Sequence, residues 1–129
     1  MVLTKLEKKD INLKEIIEDI LFEEGGELFR FNSIVFRING RTEGKYPHLH
    51  FRRSNGKEGA IRLDIAEYYL HGNPLKYTET LSKSELKLFV KNISINYKRD
   101  CSLWNYIPDG LKINIDNNPP NYNNIVYPR

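Results

Sequence analysis

Pro47-His48-Leu49-His50-Phe51-Arg52-Arg53-Ser54-Asn55-Gly56-Lys57-Glu58-Gly59-Ala60-Ile61-Arg62-Leu63-Asp64-Ile65 is the best-specified part of the chain. Leu49 and Phe51 alternate with His48, His50 and Arg52, the period-2 pattern of a strand with one apolar face. Asn55-Gly56 is a hairpin-turn signal. Beyond it Ile61, Leu63 and Ile65 alternate with Ala60, Arg62 and Asp64. A one-residue slip would drive the polar set into the core, so the pattern fixes the register of a 48–65 hairpin.

Upstream, Leu28 to Ile38 is strand-like, with Ile34, Phe36 and Ile38 alternating with Ser33, Val35 and Arg37. Asn39-Gly40 and the polar stretch to Lys45 make the following turn. Further upstream, Asn12 is placed to cap a helix, with Glu15 three residues on. Leu13, Ile16, Ile17, Ile20 and Leu21 recur at helical spacing until Gly25-Gly26. The expected helix covers Leu13 to Glu24.

Downstream, Ile65 to Leu70 reads as a short helix or an irregular edge, broken at Gly72-Asn73-Pro74. Ser82 and Glu85 form a capping box, and Leu86, Phe89, Val90, Ile93 and Tyr97 follow at three- and four-residue spacing. This predicts a helix from Lys83 to Lys98, extendable through Leu103 and Trp104 before Pro108-Asp109-Gly110. Leu111, Ile113 and Ile115 alternate as a short strand, and the Asn-rich tail reads as an arm or a loosely ordered end. The predicted architecture is α+β: a small antiparallel sheet including the 48–65 hairpin, packed on one face by helices. Residues 1–110 form one domain and 111–129 a C-terminal strand or arm.

At 129 residues there is room for one core, and 40% hydrophobic with 29% charged residues is a globular composition. A net charge of +3 permits a phosphate-bearing partner without the dense cationic face of a dedicated nucleic-acid domain. One cysteine, Cys101, excludes an intrachain disulfide and a cysteine-rich zinc site. Met1 to Asp10 lacks the apolar run of a signal peptide, and no stretch approaches the ~20 apolar residues of a membrane span. The expected location is the cytoplasm. No cofactor motif is visible and none is expected. A protein or a nucleic acid is the expected partner, and the N-terminal helix or C-terminal arm is the candidate contact for a homo-oligomer.

His48 and His50, at i and i+2, share one strand face about 6.5–7 Å apart. With the strands paired as read, Arg37, Arg52, Arg62 and Asp64 join them on a solvated polar surface. That patch supports three readings. It is a wet sheet face with hydrogen-bonded imidazoles. It is a metal site, for which two ligands fall short and Asp64, Glu58, His71 or Cys101 would complete the set. Or it cleaves phosphodiesters without metal, one histidine as base and one as acid, with arginine stabilising the developing charge. His71 beside Gly72 reads as a turn residue, Cys101 as helix packing, and Tyr68, Tyr69, Tyr122 and Tyr127 as half-buried filler able to stack on bases.

From about Phe29 to Tyr106 the chain resembles a small bacterial family filed as domain of unknown function 4160. The resemblance rests on Ile34-Val35-Phe36-Arg37-Ile38, on Pro47-His48-Leu49-His50, on Gly56 to Leu63, on the helix start Leu81 to Leu86, and on Trp104. It implies a bacterial protein from a toxin–antitoxin-like gene context, draws attention to His48 and His50, and supplies no reaction. The leading helix, the insertion Pro74 to Thr80 and the tail after Pro108 depart from the family pattern. The expected function is a binding or regulatory module using the His/Arg face. The alternative is a small ribonuclease or metal-dependent hydrolase acting through His48 and His50.

Overall fold

The computed structural model describes residues 26–38, 46–107 and 110–128. The helix expected over Leu13–Glu24, the Asn39-Gly40 turn and Pro108-Asp109 lie outside the described residues. Four strands, β1 (Glu27–Phe31), β2 (Ile34–Arg37), β3 (His48–Arg52) and β4 (Glu58–Arg62), form an antiparallel sheet in that order. One long helix, α1 (Lys83–Asn105), follows. The protein is thus α+β, as the alternation predicts.

The strand expected over Leu28–Ile38 is two strands. Asn32 and Ser33 both take positive φ, 48° and 64°, and turn the chain back on itself. That backbone suits the right-handed twist of a two-residue hairpin, usually signalled by Asn-Gly. With serine in the second position the signal is faint. The β3–β4 hairpin lies where the Asn-Gly signal puts it, closed by Arg53 and Lys57 and with Gly56 at a φ of 87°. Its register pairs Leu49 with Ile61 and Phe51 with Gly59. A Cβ at Gly59 would lie 2.4 Å from the Phe51 ring and 2.8 Å from the Glu79 carbonyl, so only glycine fits there.

Ile34, Phe36, Leu49, Phe51 and Ile61 point to one face, and α1 covers it with Phe89, Ile93 and Tyr97. Phe36 touches both Phe51 and Phe89, with ring centroids 5.5 and 5.4 Å away. The capping box is present: the Ser82 hydroxyl accepts from the Glu85 N–H, and the Glu85 carboxylate accepts from the Ser82 N–H. The helix continues through Leu103 and Trp104, both buried, and ends at Asn105.

Of the two alternatives for Ile65–Leu70 the irregular edge is the one realised, and residues 63–80 contain no helix. They are a strap that pairs with β4, Tyr69 N–H donating to the Ala60 carbonyl at 2.7 Å and Glu79 N–H to the Glu58 carbonyl at 3.2 Å. Arg53 ties down its far end. Its guanidinium donates to Glu79 and Glu85 at 2.7 Å each, and to the Thr80 carbonyl at 2.7 Å. The strap's tight geometry comes from β4 backbone bonds rather than from its own propensity.

The segment 111–128 also differs from expectation. Ile113 is not in a strand; its backbone N–H and carbonyl are both bonded by the Asn105 side-chain amide at 2.8 Å. Farther on, a 3-10 turn (Tyr122–Asn124) inserts Tyr122 into the core, and Val126 pairs with the strap. No helix among the described residues is long and apolar enough to cross a membrane.

Tyr122 is 1% exposed and its hydroxyl donates to the carbonyls of Arg62 and Leu63. Tyr122→Ala should lose about 3–5 kcal/mol of unfolding free energy, the usual cost of truncating a buried aromatic. Urea titration measures it; an unchanged midpoint would mean that the tail merely decorates the sheet.

Candidate metal centre

β3 is buried on both faces up to its last residue, Arg52. His48 and His50 do share the face opposite Leu49 and Phe51, as their spacing requires. That face is not wet. His48 is 1% exposed and His50 6%. The cover is the strap, which brings Tyr69, His71 and Tyr77 over the sheet, with Trp104 of α1 closing one side. The solvated patch expected from β3 and β4 is corrected accordingly: strand alternation fixed the face, and the strap, pinned by β4 and Arg53, took it out of water.

His71, read from sequence as a turn residue, is the third member of the group. It is 8% exposed, and Gly72 after it turns at a φ of 57°. The three ring centroids form a near-equilateral triangle: His48 to His50 5.0 Å, His48 to His71 4.7 Å, His50 to His71 4.9 Å. The rings are inclined by 53–69° to one another and are not stacked. One nitrogen from each lies within 4.8 Å of the other two. These are all three histidines of the chain.

The hydrogen bonding of His48 sets its chemistry. Its Nδ1 lies 2.6 Å from the Tyr46 carbonyl, which can only accept, so Nδ1 carries the proton and Nε2 keeps a lone pair. That Nε2 and the Nε2 of His50 are buried with no hydrogen-bond partner among the described residues. A buried polar atom left in this way costs about 1–3 kcal/mol. Burial pushes the imidazoles toward neutrality. His48 falls to about 4, chiefly through desolvation and despite the Tyr46 carbonyl. His50 falls to about 2, through desolvation and then the neighbouring His48 and His71. Neutral imidazoles with inward lone pairs are the state in which histidine binds transition metals. A point equidistant from three atoms at the 4.8 Å limit is about 2.8 Å from each, so contraction of about 0.7 Å reaches a zinc–nitrogen bond of about 2.0–2.1 Å.

None of the other candidates joins the cluster, although Arg62 lies directly across from His48 on the same face. Arg62 and Asp64 engage each other in a bidentate pair, at 2.8 and 2.6 Å, and Arg62 stacks over the Tyr46 ring at 4.1 Å. Both Asp64 oxygens are thus occupied, and Glu58 pairs with Lys76 at 3.1 Å. Cys101 is in the core, its thiol pushed up to about 11 by burial. Among the described residues, no cysteine or carboxylate joins the three histidines. Arg37 pairs across the strands with His50, while Arg52 sits at the far, exposed end of the same face.

No family model, curated protein or solved structure matches this chain. The site therefore stands on its own geometry. The sequence leaves His71 as one of four possible third ligands beside its reading as a turn residue, and it gives no sign of the walls Tyr69, Tyr77 and Trp104, because the strap brings them in across long stretches of chain. One signal was available: with only three histidines, a site built on two invites a test of the third.

Both histidine values lie below the ordinary 6.5, so at mildly acidic pH the unfolded chain binds protons that the folded chain refuses. Their stabilising contribution is complete above pH 6.5 and is lost as the pH falls through about 4 for His48 and about 2 for His50. Asp100 acts in the opposite direction: burial raises it to about 6 despite Arg99, so it keeps a proton in the folded state that the unfolded chain releases above 3.8. Two lowered histidines outweigh one raised aspartate, and Glu85, held down to about 2 by Arg53, adds in the same direction below 4.5. Urea unfolding of EDTA-treated protein should show stability rising with pH between about 4 and 6, and His50→Leu should flatten the slope.

Proposed function

We propose that this chain is a small metal-organised binding module, with a transition-metal ion held by His48, His50 and His71. Zinc is the first candidate: imidazole donors suit zinc, copper and nickel, and three neutral imidazoles form a common zinc ligand set. The observation that carries the reading is the triangle of three buried rings, each offering a nitrogen within 4.8 Å of the other two, with the Nε2 atoms of His48 and His50 buried and unpartnered among the described residues. In this role the ion fastens the strap to β3, and the polar features beside it face a partner. The bacterial, toxin–antitoxin-like setting that the resemblance implies, and a cytoplasmic location, belong to the same proposal.

A metal-dependent hydrolase is the second reading, favoured by the donor set itself, since three histidines leave a fourth corner for water. Against it stands the burial of all three rings, which leaves a bulky substrate no approach among the described residues. Metal-free cleavage of RNA by His48 and His50 has less support. Burial holds both imidazoles well below the ordinary histidine range, which disfavours the protonated form that the acid role requires.

Elemental analysis of tag-free protein should find close to one zinc per chain. His71→Ala should weaken zinc binding at least a hundredfold. Zinc at a hundred times its Kd should add about 2.7 kcal/mol to the unfolding free energy, reversed by EDTA. Sub-stoichiometric metal with no change in unfolding would sink the proposal. Zinc-dependent turnover of a phosphodiester or ester substrate, lost in His71→Ala, would move the reading to the hydrolase.

A further inference from the structure

The outward face of β3 runs His48, His50, Arg52, so the metal-type cluster occupies one end and an arginine the other. At the arginine end the sheet carries an open depression of about 360 Å³, between the β1–β2 turn and the β3–β4 turn. Ser33 and Ser54 stand at its two turns, Val35 forms part of the floor, and Arg37 and Arg52 reach in from adjacent strands. Val35 pairs with Arg52 and Arg37 with His50, which makes the two arginines diagonal neighbours on one face, roughly 7–8 Å apart.

The charge balance around the depression is uneven. Arg53, also on its rim, is neutralised by Glu79 and Glu85, and nearby Arg30 by Glu27. Arg37 and Arg52 make no ion pair among the described residues. Arg37 and Arg52 are thus held close together in a concave site flanked by two hydroxyls, and Glu58, which lies across from Arg52, is engaged by Lys76. An anion there gains two guanidinium forks, the donor geometry best matched to phosphoryl and carboxylate oxygens.

We propose that this depression binds the terminal phosphate of a small phosphate monoester. Two unpaired guanidiniums match the charge of about −1.5 to −2 that a monoester carries at pH 7. A nucleic-acid backbone presents one charge per phosphate and calls for a track of cations, whereas here the neighbouring arginines are already consumed by carboxylates. The volume lies at the small end of the ligand-pocket range of about 300–1,000 Å³, enough for a phosphate with a sugar-sized group attached. This inference rests on different residues from the metal reading and does not need it.

Calorimetric titration of the full chain with inorganic phosphate and with a nucleoside 5′-monophosphate tests it, with metal content measured in every sample. Both probes should bind saturably. Arg37→Ala and Arg52→Ala should each weaken binding at least tenfold while keeping the parent's metal content, and the double variant should bind neither probe. Lys87→Ala, which removes the same charge from an exposed site on α1, should leave binding unchanged. No saturable binding, or equal weakening by Lys87→Ala, would overturn the proposal. So would loss of phosphate only in samples that have also lost metal, which assigns the anion to the histidine cluster. Tighter binding of a single-stranded RNA without a terminal phosphate would overturn it in favour of a backbone-binding surface.

Discussion

Three imidazoles packed within 5 Å of one another on the outer face of β3 are the constraint around which the remaining structure is arranged. A strand with histidines at i and i+2 and one apolar face would ordinarily leave those rings in water. Here water is excluded, and the rings cannot carry positive charge together at that separation. Among the described residues the Nε2 atoms of His48 and His50 go without a partner, at about 1–3 kcal/mol each, which a cation bound among the rings would offset. Such an ion would turn an expensive polar pocket into a tie between sheet and strap.

Apart from that proposed tie, the strap is anchored mainly toward its two ends. Residues 63–80 contain no helix and no full strand, and they hold their path through backbone bonds to β4 and through Arg53. The same arginine meets Glu85, the residue that completes the α1 capping box, so helix start, strap end and β3–β4 turn share one ion-pair network. On the other side Tyr122 and Val126 clamp the beginning of the strap from the tail. The histidine cluster lies between these two anchors. Its geometry is therefore imposed by the scaffold, which is the condition for a site to be preorganised rather than assembled by its ligand.

Period-2 and helical patterns carried most of the fold in the sequence. The β3–β4 hairpin, the apolar face of Leu49, Phe51 and Ile61, and the capped start of α1 are all visible in local residue choice. The β1–β2 turn was hidden, because Asn32-Ser33 adopts positive φ without a glycine to announce it. The packed tail was hidden for a different reason: Tyr122 is recruited by carbonyls some sixty residues away, and an Asn-rich composition gives no sign of that. For the site, spacing placed His48 and His50 on one face but could not tell whether that face was covered. His71 entered through the strap, a tertiary event with no periodic signature. Arg62 and Asp64, which looked like members of the patch, satisfy each other instead.

Zinc K-edge X-ray absorption on the tag-free, zinc-loaded chain shows whether one ion is coordinated by all three histidines. The expected spectrum is that of a four-coordinate shell with three imidazole nitrogens at about 2.0–2.1 Å and their outer-shell ring scattering. Six oxygen neighbours without imidazole scattering, as for an ion held loosely at the surface, would contradict it.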